Sequence, residues 1–546
     1  MRIMSIFDAD FHILSFTEPS ATPEPEEMKS AAIVLPDSIP KDAPYATILQ
    51  LLGVMHDLNE TRREEDVQSK LVEANHVVRA SGLPESAFVN NKLTAKLNRQ
   101  LEEPMIVASS CLPGWCVDLP RVFPFLFPFE ARYSYLQSTS FGYARLLTKW
   151  QSQHSRTQDS ASRRDDSFGF LSRLQRQKVR ISRSRIFESA MKVFELYGHS
   201  TSVLEVEYFE EVGTGLGPTL EFYSLVSREF ARRDLGLWRD DGLGSSGPKF
   251  VNAAHGLFPA PQGPAELETE EGKQRLAMFK TLGQFVAKAL LDSRIIDCNF
   301  SPLFMKAVLQ AKMPTTLASL RAVDAGLARS MTQLLAMDAD TLAAMALDFT
   351  LPGHPAIELV ADGKAKAVTT ANVGEYVDAI VWQTVQEGIQ PAVRAFRRGF
   401  NLIMPLEALS SFTADELVML FGNMDEDWSE ATLLASIKPD HGFNSESASF
   451  RDLVAIMADF DGTKRREFLQ WLTGSPKLPI GGFAGLHPQL TIVKRPHEAP
   501  LAPDDYLPSV MTCVNYLKMP GYSSREKMRR RLETAMSEGS GSFYLS

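Results

Sequence analysis

Only four cysteines fall in 546 residues, at positions 111, 116, 298 and 513. So few thiols form no disulfide framework, and the expected setting is a reducing compartment. Cys111 and Cys116 have no matching second pair, so a zinc site, which takes four ligands, is not expected there, and no metal or other cofactor is expected elsewhere. No stretch approaches the ~20 consecutive apolar residues of a membrane span. The opening "MRIMSIFDADFHILSF" is interrupted by Asp8 and Asp10 and does not read as a signal peptide. These absences predict a soluble protein of cytoplasm or nucleus with no membrane partner. Basic charge is in deficit too, with 57 Lys and Arg against 67 Asp and Glu, which argues against a dedicated nucleic-acid binder. Nucleotide motifs are also missing. "GTGLGP" at 213–218 precedes a helical pattern, but neither the Lys-Ser/Thr of a P-loop nor the acidic residue of a dinucleotide site follows, so its glycines read as a tight turn.

What is present suggests three or four folding units, at ~100–200 residues each. Residues 17–44 are rich in Pro, Glu and Ser and read as flexible; helical spacing begins at "YATILQLLGVMHDLNE", in 45–85. "PRVFPFLFPFE" at 120–130 places four phenylalanines among three prolines, expected to be extended and buried in core. A polar linker at 152–167 leads to the basic run "RLQRQKVRISRSR" at 173–185, a solvated helix start or, alternatively, a docking strip for an acidic partner. "VLEVEYFEEV" at 203–212 alternates as a half-exposed strand should, and 275–295 carries the spacing of a long amphipathic helix. Helical blocks follow at 317–347 and 373–399. The polar "DHGF" at 440–443 is a candidate hinge, before a helix at 447–459 and a strand at "LTIVKR", 490–495.

Chemistry is suggested near the end. "LPSVMTCVNYLKM", 507–519, sets Cys513 at a loop–strand junction. A helix follows, with Ser523 and Glu526 as a capping box and Gly539 as its stop. A nucleophilic cysteine needs a base or an electropositive setting, and the nearest histidines, His487 and His497, are not adjacent in sequence. A Cys-His-Asn protease stays conceivable, although no local protease signature is present. A cysteine enzyme with neither cofactor nor evident triad suits thioester exchange, in which the acyl group arrives already activated.

The pieces, taken in order, resemble one family. "REFLQWLTGSPKLPIGGF" at 466–483, "LPSVMTCVNYLKMPGYSSREKMRRRL" and a phenylalanine fourth from the end are similar to the C-terminal lobe of HECT-type ubiquitin ligases. "EVGTGLGPTLEFYSLVS" at 211–227 and "AFRRGF" at 395–400 resemble the N-terminal lobe. The "DHGF" stretch, the Cys513 segment and the ending "GSFYLS" look like the ubiquitin-fusion-degradation, or thyroid-receptor-interacting, branch, and "NNKLTAKLNRQLEE" at 90–103 looks like the segment preceding its HECT domain. Many HECT ligases carry His-Thr-Cys-Phe at the nucleophile where this chain has Met511-Thr512-Cys513-Val514. The branch generally carries armadillo-like repeats; residues 1–165 contain no internal repeat.

The resemblance implies an α+β, bilobal fold. After a partly disordered, helical extension (1–164, with flexible segments at 17–44 and 152–164) would come a mostly helical N-lobe (165–440) and an α/β C-lobe (441–546). Within the N-lobe, a small subdomain at about 313–385 would bind the ubiquitin-conjugating enzyme, with Leu334, Leu335 and Tyr376 as apolar contacts or else as helix core. Cys513 would carry ubiquitin as a glycyl thioester and pass it to substrate lysines. Thr512 would orient the attacked carbonyl, Phe543 would support transfer to lysine, and Asp440, His441, Gly442 and Phe443 would form the interlobe hinge. The implied partners are ubiquitin, a conjugating enzyme and protein substrates. An inactive scaffold and a cysteine hydrolase acting on ubiquitin conjugates are the alternatives.

Overall fold

The structure is a computed structural model and describes residues 35–72, 82–103, 106–107, 109, 111–142, 145, 175–209, 211, 216–240, 249–251, 255–311, 313–422, 426–479, 481–486, 488–497 and 500–539. Residues 17–34 of the flexible segment expected at 17–44, the segment expected at 152–164, and Phe543 lie outside these residues. Among those described, buried apolar side chains gather into four clusters, and the class is α+β.

The first cluster belongs to an N-terminal helical unit of α1 (Pro44–Val72), α2 (Asn91–Leu101), α3 (Gly114–Val122) and α4 (Phe129–Ser140). Helix α2 starts where the Asn90 carboxamide accepts the backbone N–H groups of Lys92 and Leu93, each at 3.1 Å. The Phe/Pro block is folded rather than extended. Pro120 lies inside the last turn of α3, a short 3-10 turn spans Pro124–Leu126, and Pro128 caps α4, while Phe123 and Phe127 fill the core. Proline's fixed φ suits the helix starts at Pro124 and Pro128, which is why a proline-rich run can still be helical in pieces. Leu35 and Ile39 are buried in the same cluster, so the part of the expected 17–44 flexible segment that contains them is folded.

The largest cluster is built on β1 (Arg176–Ile181), α5 (Ile186–Tyr197), β2 (Val203–Tyr208), α6 (Leu216–Phe230), α7 (Glu270–Leu291) and α8 (Pro302–Val308). Strands β1 and β2 pair in parallel across the α5 crossover. The basic run is therefore a strand, not a helix start, and its acidic partners are in the chain itself. Arg176 and Lys178 lie 3.3 Å from Glu205, Arg180 lies 3.1 Å from Glu207, and Arg183 reaches Glu211 at 2.6 Å and Glu221 at 2.7 Å. Strand β2 is mostly buried, not half-exposed, since Glu205 is shielded by those cations.

The third cluster is a small subdomain of α9 (Leu317–Val323), α10 (Ala325–Leu335), α11 (Ala339–Ala344), a β3–β4 hairpin (Thr350–Leu351, His354–Glu358) and α12 (Val373–Val385). The chain then rejoins the large core through α13 (Gln390–Asn401) and α14 (Ala414–Phe421). Helix α13 crosses α7 at two glycines: a Cβ on Gly399 would collide with the Lys280 carbonyl, and one on Gly283 with the Phe396 carbonyl. That reciprocal close approach accounts for the glycine of "AFRRGF".

The fourth cluster is the C-terminal lobe: α15 (Glu430–Ser436), β5 (Lys438–Asp440), α16 (Ala448–Ala458), α17 (Gly462–Thr473), β6 (Thr491–Lys494), β7 (Ser509–Met511), β8 (Tyr516–Met519) and α18 (Arg525–Gly539). Its sheet order is β5-β6-β8-β7, parallel except for β7. Helix α18 is entered through Ser524, whose hydroxyl accepts the Lys527 N–H at 3.3 Å, whereas Ser523 binds Asp504 instead.

Candidate active site

Strand β7 runs antiparallel to β8, with Val510 opposite Leu517 and Met511 opposite Tyr516. Between them Thr512–Val514 forms one 3-10 turn, so Cys513 sits at its middle, at the sheet edge. Asn515 ends the turn in the left-handed region at φ 53°. Asparagine tolerates that conformation better than most side chains. It is also buried: its Nδ2 donates to the Pro488 carbonyl at 2.7 Å, and its carbonyl accepts from Thr491 N at 3.0 Å. Asn515 thus sets the exit of the turn. A polar residue after the Thr-Cys-Val run was the available sequence signal, but its partners come from distant segments.

The approach to β7 is braced as well. Arg495 donates to the Leu507 carbonyl at 2.8 Å, with its guanidinium over the Tyr506 ring, and Tyr522 donates to the Tyr506 carbonyl at 2.9 Å. Asp504 accepts from Lys527 Nζ (2.6 Å), Ser523 Oγ (2.6 Å) and Ser523 N (2.8 Å), and these bonds hold its carboxyl well below the usual range. The start of α18 and the segment leading into β7 therefore share one polar anchor.

Two of the other cysteines are poor nucleophiles. Burial pushes the Cys116 thiol up to about 11 and the Cys298 thiol up to about 12. Cys111 is exposed, in the N-terminal unit. Among the described residues no group of three His, Cys, Asp or Glu side chains could hold a metal ion. No helix there is long and apolar enough to cross a membrane.

The Cys513 turn packs against α17 of its own lobe and against α6 of the large N-terminal core. At this contact Ser224 Oγ donates to Gln470 Oε1 at 3.0 Å. Gly474, which ends α17 in the left-handed conformation at φ 80°, lies over Gly217, Leu220 and Glu221. At one end of it Asp297, just before the buried Cys298, takes Lys477 Nζ at 2.9 Å and pairs with Arg466. Burial alone would raise the Asp297 carboxyl, but the charges of Lys477 and Arg466 outweigh it and hold the carboxyl below its ordinary value. Burial also pushes the Lys477 ammonium down against the pull of Asp297. Nothing in the local sequence marks these residues, because they lie about 180 positions apart, 297 against 477.

The hinge expected at Asp440, His441, Gly442 and Phe443 needs correction. Asp440 ends β5, paired to β6, and its carboxylate accepts from Lys438 Nζ and His441 N. Lys494 N donates to the His441 carbonyl at 3.2 Å, Gly442 packs on the Lys494 side chain, and Phe443 lies against the C-lobe core. The left-handed pair His441–Gly442 is a turn inside the lobe. The chain passes from one core to the other between Phe421, in the large cluster, and Trp428, in the C-lobe cluster.

The expected conjugating-enzyme contacts divide. Leu334 and Tyr376 are buried in the small-subdomain core, where Tyr376 meets Phe349 edge-on at 5.3 Å. Leu335 is 44% exposed, and the same subdomain exposes Met345 and Trp382, the latter by 49%. Tyr376→Ala is therefore expected to destabilise the subdomain by about 3–5 kcal/mol, as loss of a buried ring does. Trp382→Ala, by contrast, should leave the melting temperature nearly unchanged. Thermal unfolding checks both; a Tyr376→Ala protein as stable as the parent would contradict the buried placement.

The profile described as "HECT-domain (ubiquitin-transferase)" matches residues 224–546. The chain is 48% identical over 469 residues to a probable ubiquitin fusion degradation protein of Schizosaccharomyces pombe, covering 84% of this chain and 28% of that protein. It is 43% identical over 482 residues to ubiquitin fusion degradation protein 4 of Saccharomyces cerevisiae, covering 85% and 32%. It is 36% identical over 548 residues to the E3 ubiquitin-protein ligase TRIP12 of Danio rerio, covering 94% and 26%. The chain thus spans about a quarter to a third of the length of these relatives.

Proposed function

This chain belongs to the HECT family, and from that premise we propose that it is a ubiquitin-protein ligase that loads ubiquitin on Cys513 and passes it to substrate lysines. A ubiquitin-charged conjugating enzyme docks on the small subdomain, using exposed apolar side chains such as Leu335, Met345 and Trp382. The Cys513 thiolate attacks the incoming thioester carbonyl, forming a new C–S bond while the conjugating enzyme's sulfur leaves. The exchange of one thioester for another needs no nucleotide or metal. A substrate amine then attacks the same carbonyl. Its C–N bond forms, the bond to the Cys513 sulfur breaks, and the proton released from nitrogen ends on the thiol or in solvent. Thr512, half-buried in the turn, is placed to orient that carbonyl. The names of the relatives suggest that the modified substrates are degraded.

The observation that carries this reading is the place of Cys513 in a one-turn link at the edge of a lobe with its own core, while Cys116 and Cys298 are sealed inside cores. The test is incubation with conjugating enzyme charged with labelled ubiquitin, followed by a non-reducing gel. A thiol-sensitive adduct of chain plus ubiquitin is expected. Free ubiquitin released without an adduct or a lysine conjugate would indicate a hydrolase, and no change would indicate a scaffold. Phe543→Ala is expected to leave the adduct nearly intact and slow its discharge to lysine severely, as loss of an orienting aromatic would. A pulse-chase at parental rate would reduce the tail to an ordinary chain end.

A further inference from the structure

We infer that Asp297 is a positioning residue for ubiquitin discharge: its carboxylate, held between Arg466 and Lys477, keeps the C-lobe docked so that the Cys513 turn stays on α6. This rests on the ligase reading above and adds a residue and a step to it.

Three features of the contact support it. Its geometry is specific. Gly217, Leu220, Glu221 and Ser224 stand at i, i+3, i+4 and i+7 along α6, and Gln470 lies one turn before the Gly474 that ends α17, so one stripe of each helix meets the other. Its charge is concentrated at a single point. Asp297 is the acidic partner of both basic side chains, and Lys477 is only 9% exposed in its side chain, so losing the carboxylate would strand an ammonium away from water. The contact is also mechanically joined to the thiol, because the turn bearing Cys513 packs on α17 as well as on α6.

The same sulfur must meet two acyl-transfer partners. Loading brings it to a conjugating enzyme on the small subdomain, whose core is separate from the one that carries α6. Discharge asks for a thioester held still while an amine approaches the carbonyl, and immobilising one reactant is where orientation contributes most. A docked lobe held by a partly buried ion pair suits the second step. During it the amine nitrogen bonds to the carbonyl carbon, the carbon–sulfur bond of Cys513 breaks, and the sulfur leaves as thiolate with the amine's proton lost to solvent. Asp297 takes no part in these bonds.

Two measurements test the assignment, one of them independent of activity. A Cβ on Gly474 would lie 3.6 Å from the Leu220 Cβ, within the spacing a disulfide spans. In a Cys513→Ala background, Leu220→Cys with Gly474→Cys should cross-link on mild oxidation, and adding Asp297→Asn should slow that cross-linking several-fold, the strain of a side chain at the left-handed Gly474 being common to both proteins. In the active chain, Asp297→Asn should load ubiquitin at close to the parental rate yet discharge it to lysine roughly tenfold more slowly, a barrier rise of about 1.4 kcal/mol, and Asp297→Glu should recover part of the loss. Cross-linking unaffected by Asp297→Asn would overturn the latch itself. Slower cross-linking with unchanged discharge, or with loading and discharge reduced alike, would overturn its role in discharge. A parental chain that forms no adduct, while the cross-link still depends on Asp297, would instead refute the ligase reading and leave the latch standing.

Discussion

Replacing Cys513 by alanine is expected to abolish both the reducible ubiquitin adduct and lysine conjugation, with thermal unfolding unchanged. Both steps of the proposed chemistry pass through that sulfur. The acyl group must rest on a nucleophile good enough to take it from one thioester and labile enough to release it to an amine, and a methyl group can do neither. The position suits a clean test, since Cys513 lies in a short turn whose exit is held by Asn515. Cys513→Ser is the informative companion: any adduct it forms would be an oxygen ester that survives thiol reductants. Cys111→Ala and Cys298→Ala should load ubiquitin as the parent does, although Cys298→Ala loses some packing in the large core. A reducible adduct persisting in the Cys513→Ala protein would place the nucleophile elsewhere.

The second large effect concerns stability. Arg132, on α4, is buried and donates through Nε to the Phe127 carbonyl at 3.1 Å and through Nη1 to the Ser411 carbonyl at 2.6 Å. Its two terminal nitrogens also grip the Glu416 carboxylate, the Nη1 bond at 2.7 Å, and Glu416 closes the capping box of α14 with Thr413. This pair ties the N-terminal helical unit to the large core, helped by Phe129 against Phe412 at 5.7 Å. Both side chains are only 7% exposed, so solvent screens little of the charge. Arg132→Ala would leave a buried carboxylate unpaired, at about 3–5 kcal/mol. Against the ~5–15 kcal/mol that typically separates folded from unfolded states, that is a large share. The double change Arg132→Met with Glu416→Leu should cost much less, because it strands no charge. Denaturant unfolding of the three proteins, with limited proteolysis to report release of the N-terminal unit, measures it. An Arg132→Ala midpoint equal to the parent's would show that the two units are held by packing alone.

Much of the active region was legible beforehand. The loop–strand junction at Cys513, the strands β6 and β8 and the helix α18 are all legible in short runs that are local in sequence, although the cap of α18 falls one residue later than read, on Ser524. The long α7 and the helices of the small subdomain follow from periodicity for the same reason. The errors arose where a distant partner decided the outcome. "RLQRQKVRISRSR" is rich enough in charge to suggest a solvated helix, yet it became a strand, where Glu205 and Glu207 on the parallel β2 are shared among Arg176, Lys178 and Arg180. "DHGF" has the composition of a hinge, but pairing of β5 with β6 locked it into the C-lobe. The resemblance offered Tyr376 and Leu334 as docking contacts or else as helix core, and the fold places both in the core of the small subdomain, where Phe349 meets Tyr376.

The sequence alone therefore determined the family: a cysteine at a loop–strand junction, no cofactor motif around it, and a flanking run of residues specific enough to identify it. Each of those properties is carried within a few tens of consecutive residues. Only the tertiary structure decided how the two lobes meet, through Asp297 with Lys477 and Arg466, and how the N-terminal unit is fastened, through Arg132 with Glu416. The reason is physical. A charge can be buried only where its counter-charge is brought to it, and residues 132 and 416, or 297 and 477, become neighbours only after separate helices have packed.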